Sequence, residues 1–175
     1  MIYASARTIF AVAAIALSCG AAAADKKSDG KLSSSDRQFI TTVAQDGMAE
    51  VELGKLAQEK ASSADVKQFA QRMVNDHSKA NSELESIASR LGATPPKQVD
   101  KKHQDDMKKF QGLSGDKFDR EYAQHMVKDH EQAVSLFEKE SKKGDSDELK
   151  QFASTTLPTL QEHLKMARGL TQQKK

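Results

Sequence analysis

Apolar residues recur at helical spacing in four long segments of the chain, at about 36–61, 64–91, 116–142 and 147–170. Within each segment they return every three or four residues, which places them on one face of an α-helix. Cap residues support these boundaries: Ser35 with Gln38 has the spacing of a capping box, and Gly92 follows the second segment. No segment shows the alternation typical of a half-buried strand. The pattern therefore predicts an all-α domain.

The links between these helices predict their topology. Only a few residues separate the first helix from the second and the third from the fourth, so each pair must form an antiparallel hairpin. The link from about Gly92 to Gly115 is much longer, and His103, Met107 and Phe110 recur within it at helical spacing. We therefore expect a crossover that contains a short helix and makes the second and third helices parallel. Two antiparallel hairpins joined by a long crossover form a ferritin-like four-helix bundle.

The N-terminal segment has the features of a secretory signal peptide. Arg7 precedes the apolar stretch 9–17, which is too short to span a bilayer, and four alanines at 21–24 offer a cleavage site. We expect residues 1–24 to be a signal peptide, 25–34 a flexible leader, 35–171 the bundle domain and 172–175 a polar tail. The mature protein would be periplasmic or secreted. Cys19 leaves an alternative open, which is an envelope protein anchored by a lipid on this cysteine.

Composition excludes several classes of partner. The chain has 27 basic and 25 acidic residues, and this balance argues against nucleic acid as a partner. It has no Trp and only two Tyr, which disfavours a stacking surface for bases. Cleavage before Asp25 would remove the single cysteine, so neither a disulfide nor a thiol nucleophile is expected. No later stretch is apolar enough to be a transmembrane segment. The sequence identifies no protein partner.

One nine-residue segment occurs twice. The segment Phe69–His77 returns as Tyr122–His130, with six of the nine positions identical. Both copies lie within long helical segments, and in both the closing histidine falls on the apolar face. Internal repeats report on architecture. This repeat predicts two equivalent helices that present equivalent imidazoles to one core.

Each long helix carries one ionisable residue at the centre of its apolar stripe. These residues are Glu50, His77, His130 and His163. In an antiparallel hairpin, residues at one level are equidistant from the turn, and both hairpins satisfy this condition to within about one turn, or ~5 Å. Parallel, in-register copies of the repeat would place the two hairpins at the same height. We therefore expect these four residues to converge in one polar layer at mid-bundle.

Such a layer has two interpretations. Buried ionisable groups are normally paired, hydrogen-bonded or bound to metal. Three imidazoles and a carboxylate suit one transition-metal ion, either Zn, Cu, Fe or Mn, whereas the alternative is a closed polar network without an ion. Asp76 and Asp129 lie about 100° off the apolar stripe, beside their histidines, and could orient an imidazole of a neighbouring helix. Asp46 and Asp119 lie close to the apolar line and are possible further carboxylates. His103, in the crossover, and His125, on an outward face, are not expected to be ligands.

The repeated Met-Val-x-Asp-His segments carry a family resemblance. Together with the segments 49–57, 115–122 and 157–164, they resemble the exported bacterial family known as domain of unknown function 4142, over about residues 36–170. The resemblance implies a ferritin-like bundle and an envelope or periplasmic address. It implies no established reaction.

The sequence departs from the di-iron pattern of ferritins. That pattern needs Glu three residues before the core histidine on two helices. Here Val74, Val127 and Leu160 occupy the positions before His77, His130 and His163. A mononuclear, His-rich site is therefore the better metal hypothesis, and enzymatic activity is disfavoured. The function we expect is metal handling or stress response, and the alternative is a non-enzymatic envelope protein with a structural or interaction role.

Overall fold

The computed structural model describes residues 32–172, which form five α-helices and no strand. The helices are α1 (Ser34–Lys60), α2 (Ala64–Arg90), α3 (Lys101–Gln111), α4 (Gly115–Lys143) and α5 (Asp147–Gln172). The four long helices end within two residues of their predicted positions, and α3 is the short helix expected in the crossover. The predicted signal peptide and Cys19 lie outside the described residues. Among the described helices, none has the length and apolar character needed to cross a bilayer.

Ring contacts establish the topology. Phe69 meets Tyr122 with ring centroids 6.1 Å apart, and two turns later His77 meets His130 at 5.6 Å. Both pairs advance by the same number of residues, so α2 and α4 run parallel and in register. The α1–α2 and α4–α5 hairpins make the most extensive contacts, while α3 packs on α1. The predicted ferritin-like arrangement of two hairpins and one crossover is confirmed.

The core consists of two apolar clusters at different heights in the bundle. The cluster near the α4–α5 turn is built from Phe39, Ile40, Val43, Ala44, Leu84, Ile87, Ala88, Phe137, Leu149, Phe152, Ala153 and Leu160. The cluster near the α1–α2 turn is built from Leu53, Ala57, Ala61, Val66, Phe69, Ala70, Met73, Phe110, Phe118, Tyr122, Met126 and Ala167. On every long helix the predicted polar residue lies between the two clusters in sequence. The polar layer therefore interrupts an otherwise apolar core.

Two glycines on α1 allow close packing against α2. A Cβ at Gly54 would lie 3.0 Å from the carbonyl oxygen of Ala70, and one at Gly47 would collide with the Asn81 amide. Glu50 lies between these glycines and is only 6% exposed. The close approach of the two helices thus holds the Glu50 carboxyl inside the bundle.

The start of α1 differs from the predicted capping box. Ser33, not Ser35, is the cap, and its hydroxyl accepts a hydrogen bond from the Asp36 backbone N–H at 3.1 Å. The Asp36 carboxylate instead accepts from the backbone N–H groups of Asp145 and Ser146 at 3.2 and 3.0 Å. The prediction was wrong because the helix begins earlier, with Ser33 as its cap. The Asp36 side chain connects α1 to the α4–α5 turn, which is distant in sequence.

This contact creates a buried carboxyl pair. Glu140 is 6% exposed, and its Oε1 has no hydrogen-bond partner within residues 32–172. Burial raises the pKa of Glu140 to about 7, and repulsion from the Asp36 carboxylate adds to the shift. A carboxyl whose folded-state pKa is raised destabilises the fold as pH rises from about 4.5 through 7, because the folded protein must then lose a proton that it binds tightly.

We expect Glu140→Gln to stabilise the protein above pH 7. Glutamine keeps the shape of the side chain and cannot ionise, so the variant should gain about 1–3 kcal/mol at pH 8 and almost nothing at pH 4.5. Urea unfolding at both pH values measures the difference. Glu138→Gln on the same helix, where the side chain is 43% exposed, is the matched control. A Glu140→Gln protein that is less stable than wild type at pH 8 would contradict the expectation.

Candidate metal centre

Three of the four predicted polar residues converge at the centre of the bundle. His77 on α2, His130 on α4 and His163 on α5, here called the His triad, each offer one nitrogen, and these nitrogens lie within 4.8 Å of one another. Their ring centroids are 5.3–5.6 Å apart. His130 and His163 are each 1% exposed, whereas His77 is partly buried. One nitrogen from each ring could thus reach a single small ion.

Hydrogen bonds define the tautomers of two of these rings. His130 Nδ1 lies 2.9 Å from the Met126 carbonyl oxygen, which can only accept, so Nδ1 carries the proton. His163 Nε2 lies 2.8 Å from Asp76 Oδ2 and donates to that carboxylate. The opposite nitrogens, His130 Nε2 and His163 Nδ1, are then lone-pair acceptors. Both are buried without a hydrogen-bond partner in the described part of the chain, as is His77 Nε2.

A charged network positions His163. Arg72 holds Asp76 through Nε at 3.2 Å and binds Glu162 through two guanidinium nitrogens at 2.8 and 3.0 Å. Burial acts to raise the pKa of Asp76, but hydrogen bonds from His163 and Arg72 outweigh it and lower the pKa. Asp76 is therefore a carboxylate at neutral pH. A carboxylate that accepts from the outer nitrogen of an imidazole is a common arrangement around metal ligands.

Burial keeps the His triad neutral. It lowers the pKa of His130 to about 4, and repulsion from His163 contributes to the shift. Burial also lowers the pKa of His77 well below the ordinary value, and repulsion from His130 and His163 lowers it further. The pKa of His163 is lowered by burial too, although its bond to Asp76 opposes the change. Neutral imidazole is the form that coordinates metal.

Glu50 lies beside the His triad but outside the converging nitrogens. Its Oε1 is 3.8 Å from His130 Nδ1, the nitrogen that already donates to a carbonyl, and Oε2 is buried with no partner among residues 32–172. Burial raises the pKa of Glu50 well above the ordinary value, and repulsion from Asp129 and Asp46 adds to this. The structure thus brings together three imidazole nitrogens as possible metal ligands, and the Glu50 carboxyl lies next to them without joining the set.

A cavity of about 220 Å³ adjoins the His triad. All three imidazoles and Glu50 contribute to its wall, as do more exposed residues of α1, α3 and α4. Three nitrogen ligands leave at least one coordination position of a typical transition metal unfilled. The cavity gives space for water or another small ligand at that position.

The family model for a domain of unknown function, DUF4142, matches residues 21–170. The chain belongs to the DUF4142 family. No curated protein sequence is significantly similar to it. The family assignment agrees with the helical architecture and carries no reaction with it.

Solved structures share the fold of this DUF4142 domain at low sequence identity. A DUF305 fragment from Deinococcus radiodurans gives a TM-score of 0.70 at 15% identity and covers 80% of this chain and 97% of its own. CopM in its Cu(I)-bound form gives 0.67 at 17% identity, covering 78% and 95%. CopM in its Cu(II)-bound form gives 0.66 at 16% identity over the same shares. At these identities the likeness shows a common fold alone.

The remaining predicted aspartates have other contacts in the DUF4142 domain. Asp119 lies at the α1–α2 turn, where its carboxylate accepts from the backbone N–H groups of Ser62 and Ser63 at 3.1 and 2.9 Å. Asp129 Oδ2 is 2.9 Å from His125 Nε2. Asp46 Oδ1 is 3.3 Å from His103 Nε2. Of the four aspartates, only Asp76 contacts a ring of the His triad through a hydrogen bond.

Sequence reasoning missed the charged support behind Asp76. Arg72 lies four residues before Asp76, a spacing at which helical side chains meet, so this half of the network was visible in the sequence. Its second partner, Glu162, belongs to a different helix. That contact depends on how α2 and α5 are rotated against each other, and spacing along one helix does not predict it.

Proposed function

We propose that this DUF4142 protein binds one transition-metal ion through His77, His130 and His163 and acts in metal handling outside the cytoplasm. The observation that carries the proposal is the convergence of three buried imidazole nitrogens that lack partners among the described residues. The signal-peptide pattern of residues 1–24 supports an exported location. The absence of Glu-x-x-His at these positions argues against di-iron oxidase chemistry.

A purely structural network satisfies these nitrogens poorly. His130 Nε2 and His163 Nδ1 are both acceptors once their other nitrogens donate, so they cannot hydrogen-bond to each other. His77 could donate from Nε2 to only one of them. Unsatisfied buried polar atoms cost roughly 1–3 kcal/mol each. One cation at the centre would accept all three lone pairs at once, which favours a metal site over the closed polar network.

The ligand set narrows the choice of ion. Imidazole suits Zn, Cu and Fe, whereas Mn favours carboxylate and water oxygens, and the three converging donors include no carboxylate. Copper is the first ion to test, because CopM, which shares this fold, has been solved in Cu(I)-bound and Cu(II)-bound forms. Zinc, which accepts three histidines and a water, is the second.

Metal content of the purified protein tests the proposal. We expect about one copper per chain after incubation with Cu(II) and removal of excess ion, and loss of this copper in His130→Ala and His163→Ala. His103→Ala and His125→Ala should keep it, because these histidines contact aspartates outside the His triad. Circular dichroism of each variant separates loss of ligands from loss of fold.

Asp76→Asn provides a gentler variant. It keeps the size of the side chain but weakens the acceptor that orients His163, so copper affinity should fall about 10- to 100-fold while the helices stay intact. Protein that remains folded and takes up neither copper nor zinc would instead favour the structural envelope role.

A further inference from the structure

The cavity beside the His triad extends from buried to exposed residues. Its inner wall includes His130 and His163, which are 1% exposed. Its outer wall includes Asp46 and Asp100, whose side chains are 44% and 43% exposed, and Lys102, which is 60% exposed. The same cavity therefore joins solvent to the proposed ligands, with α3 of the crossover at its outer edge.

The outer wall is rich in carboxylates. We call this part of the cavity the entrance, and its charged or titratable residues are Asp46, Asp100, Lys102, His103 and Asp129. His103 lies between two of the acids, with Nε2 3.3 Å from Asp46 and Nδ1 2.9 Å from Asp100. Three acids face one lysine and one histidine, so the entrance carries net negative charge whether His103 is neutral or protonated.

We propose that the entrance is the route by which a metal cation reaches the His triad, and that its carboxylates accelerate loading. This inference rests on the proposed metal site. Negative charge along a narrow cleft concentrates cations and raises their association rate. At the inner end, the buried Glu50 Oε2, without a hydrogen-bond partner in residues 32–172, offers a cation a further oxygen before it reaches the imidazoles.

Lys102 acts against this attraction. Its ammonium lies 3.1 Å from Asp106 and close enough to Asp129 and Asp46 to interact with both charges. A positive charge at the entrance repels an incoming cation. The arrangement therefore predicts opposite effects for neutralising the acids and neutralising the lysine.

Stopped-flow loading with Cu(II) tests the inference in the full mature chain. Tyr122, the only tyrosine after residue 24, gives the signal through quenching of its fluorescence. At low ionic strength, Asp46→Asn combined with Asp100→Asn should load about 3- to 10-fold more slowly than wild type, and Lys102→Gln should load faster. The double variant removes two negative charges, whereas deprotonation of His103 would remove at most one positive charge. The entrance therefore becomes less negative in either protonation state of His103. Salt at about 0.5 M should remove most of the difference.

The matched control is Glu52→Gln combined with Glu59→Gln. It changes the net charge of the protein by the same amount as the entrance variant, but both residues lie on α1, are exposed and do not line the cavity. This control should load at the wild-type rate. If the control slows as much as the entrance variant, the effect is one of overall charge and the inference is wrong.

Failure of the route and failure of the site give different results. Wild-type protein that binds copper through the His triad, with equal loading rates in all variants, would overturn the entrance alone. If the double variant loads at the wild-type rate but has a lower equilibrium affinity for copper than wild type in high salt, the acids are metal ligands and not a route. Protein that binds no ion would overturn both the entrance and the metal site.

Discussion

Replacing His130 with phenylalanine should make the metal-free protein less sensitive to acid. The pKa of His130 is lowered to about 4 by burial, against an ordinary value near 6.5. Between these values the unfolded chain binds the proton more readily than the folded protein, so the free energy of unfolding falls as pH drops. This imidazole alone should account for a loss of about 3 kcal/mol between pH 7 and pH 4. Phenylalanine fills similar space and does not titrate.

The measurement is the difference between two stability curves. Glu50 and Glu140 have raised pKa values and change stability in the opposite sense over part of this range, so the wild-type curve alone does not isolate His130. Urea unfolding of wild type and His130→Phe is measured at pH 7.5, 6, 5 and 4, with a chelator present. The free energy of unfolding of wild type minus that of the variant should fall by about 3 kcal/mol from pH 7.5 to pH 4. A difference that stays constant would mean that His130 does not titrate in this range.

His103→Gln is the control with the opposite sign. Its hydrogen bond to the Asp46 carboxylate raises the pKa of His103, so this histidine stabilises the fold at low pH and loses that effect as pH rises through its folded-state pKa. Its substitution should cost most in acid and least in base. Two histidines of one bundle should thus show opposite pH dependence, which a general effect of acid on the protein cannot produce.

A bound ion should produce the second large effect. An ion that binds only the folded protein and is present at 100 times its dissociation constant adds about 2.7 kcal/mol to the free energy of unfolding. For a domain of this size that corresponds to a rise of roughly 5–10 °C in Tm. We expect copper to give such a shift in wild type, and none in the triple variant His77→Ala, His130→Ala, His163→Ala.

Acid should reverse the shift. Metal competes with protons for the imidazole nitrogens, so the copper-dependent rise in Tm should shrink as pH falls towards about 4, the lowered pKa of His130. The control is the double variant His103→Ala and His125→Ala, which leaves the His triad intact. An equal rise in Tm in the triple variant would place the ion elsewhere on the protein.

Periodicity explains why the fold was predictable. Four segments with an apolar residue every three or four positions must each bury one face, and the lengths of the links allow few ways of doing so. The repeat added the register, since Phe69 and Tyr122 pair as His77 and His130 do. The cap of α1 was predicted wrongly because Ser33 caps an earlier turn by accepting a hydrogen bond from the Asp36 N–H, and the Asp36 carboxylate accepts from backbone N–H groups of the α4–α5 turn.

The candidate site was predictable only in part. Helical spacing places His77, His130 and His163 on buried stripes, but rotamers and helix rotation decide which nitrogens converge. Asp119 has the same residue type as Asp76 and lies closer to the apolar line, yet it accepts hydrogen bonds from backbone N–H groups at the start of α2. Asp76 lies within hydrogen-bond distance of the His163 imidazole, and Asp119 lies within that distance of the Ser62 and Ser63 backbone N–H groups. In both cases the donors are far away in sequence.

The sequence by itself thus determined the helices, their pairing and the level at which the histidines lie, because these follow from a period of 3.6 residues and from the lengths of the links. Only the tertiary structure decided that His163 donates to Asp76, that His130 donates to a carbonyl, and that Glu50 stands 3.8 Å from a nitrogen already in use. It also decided that a cavity leads from α3 to the imidazoles. Periodicity assigns a side chain to a face within about a turn, whereas a hydrogen bond or metal ligand requires placement within a few tenths of an ångström. That placement depends on how four helices and a crossover pack together.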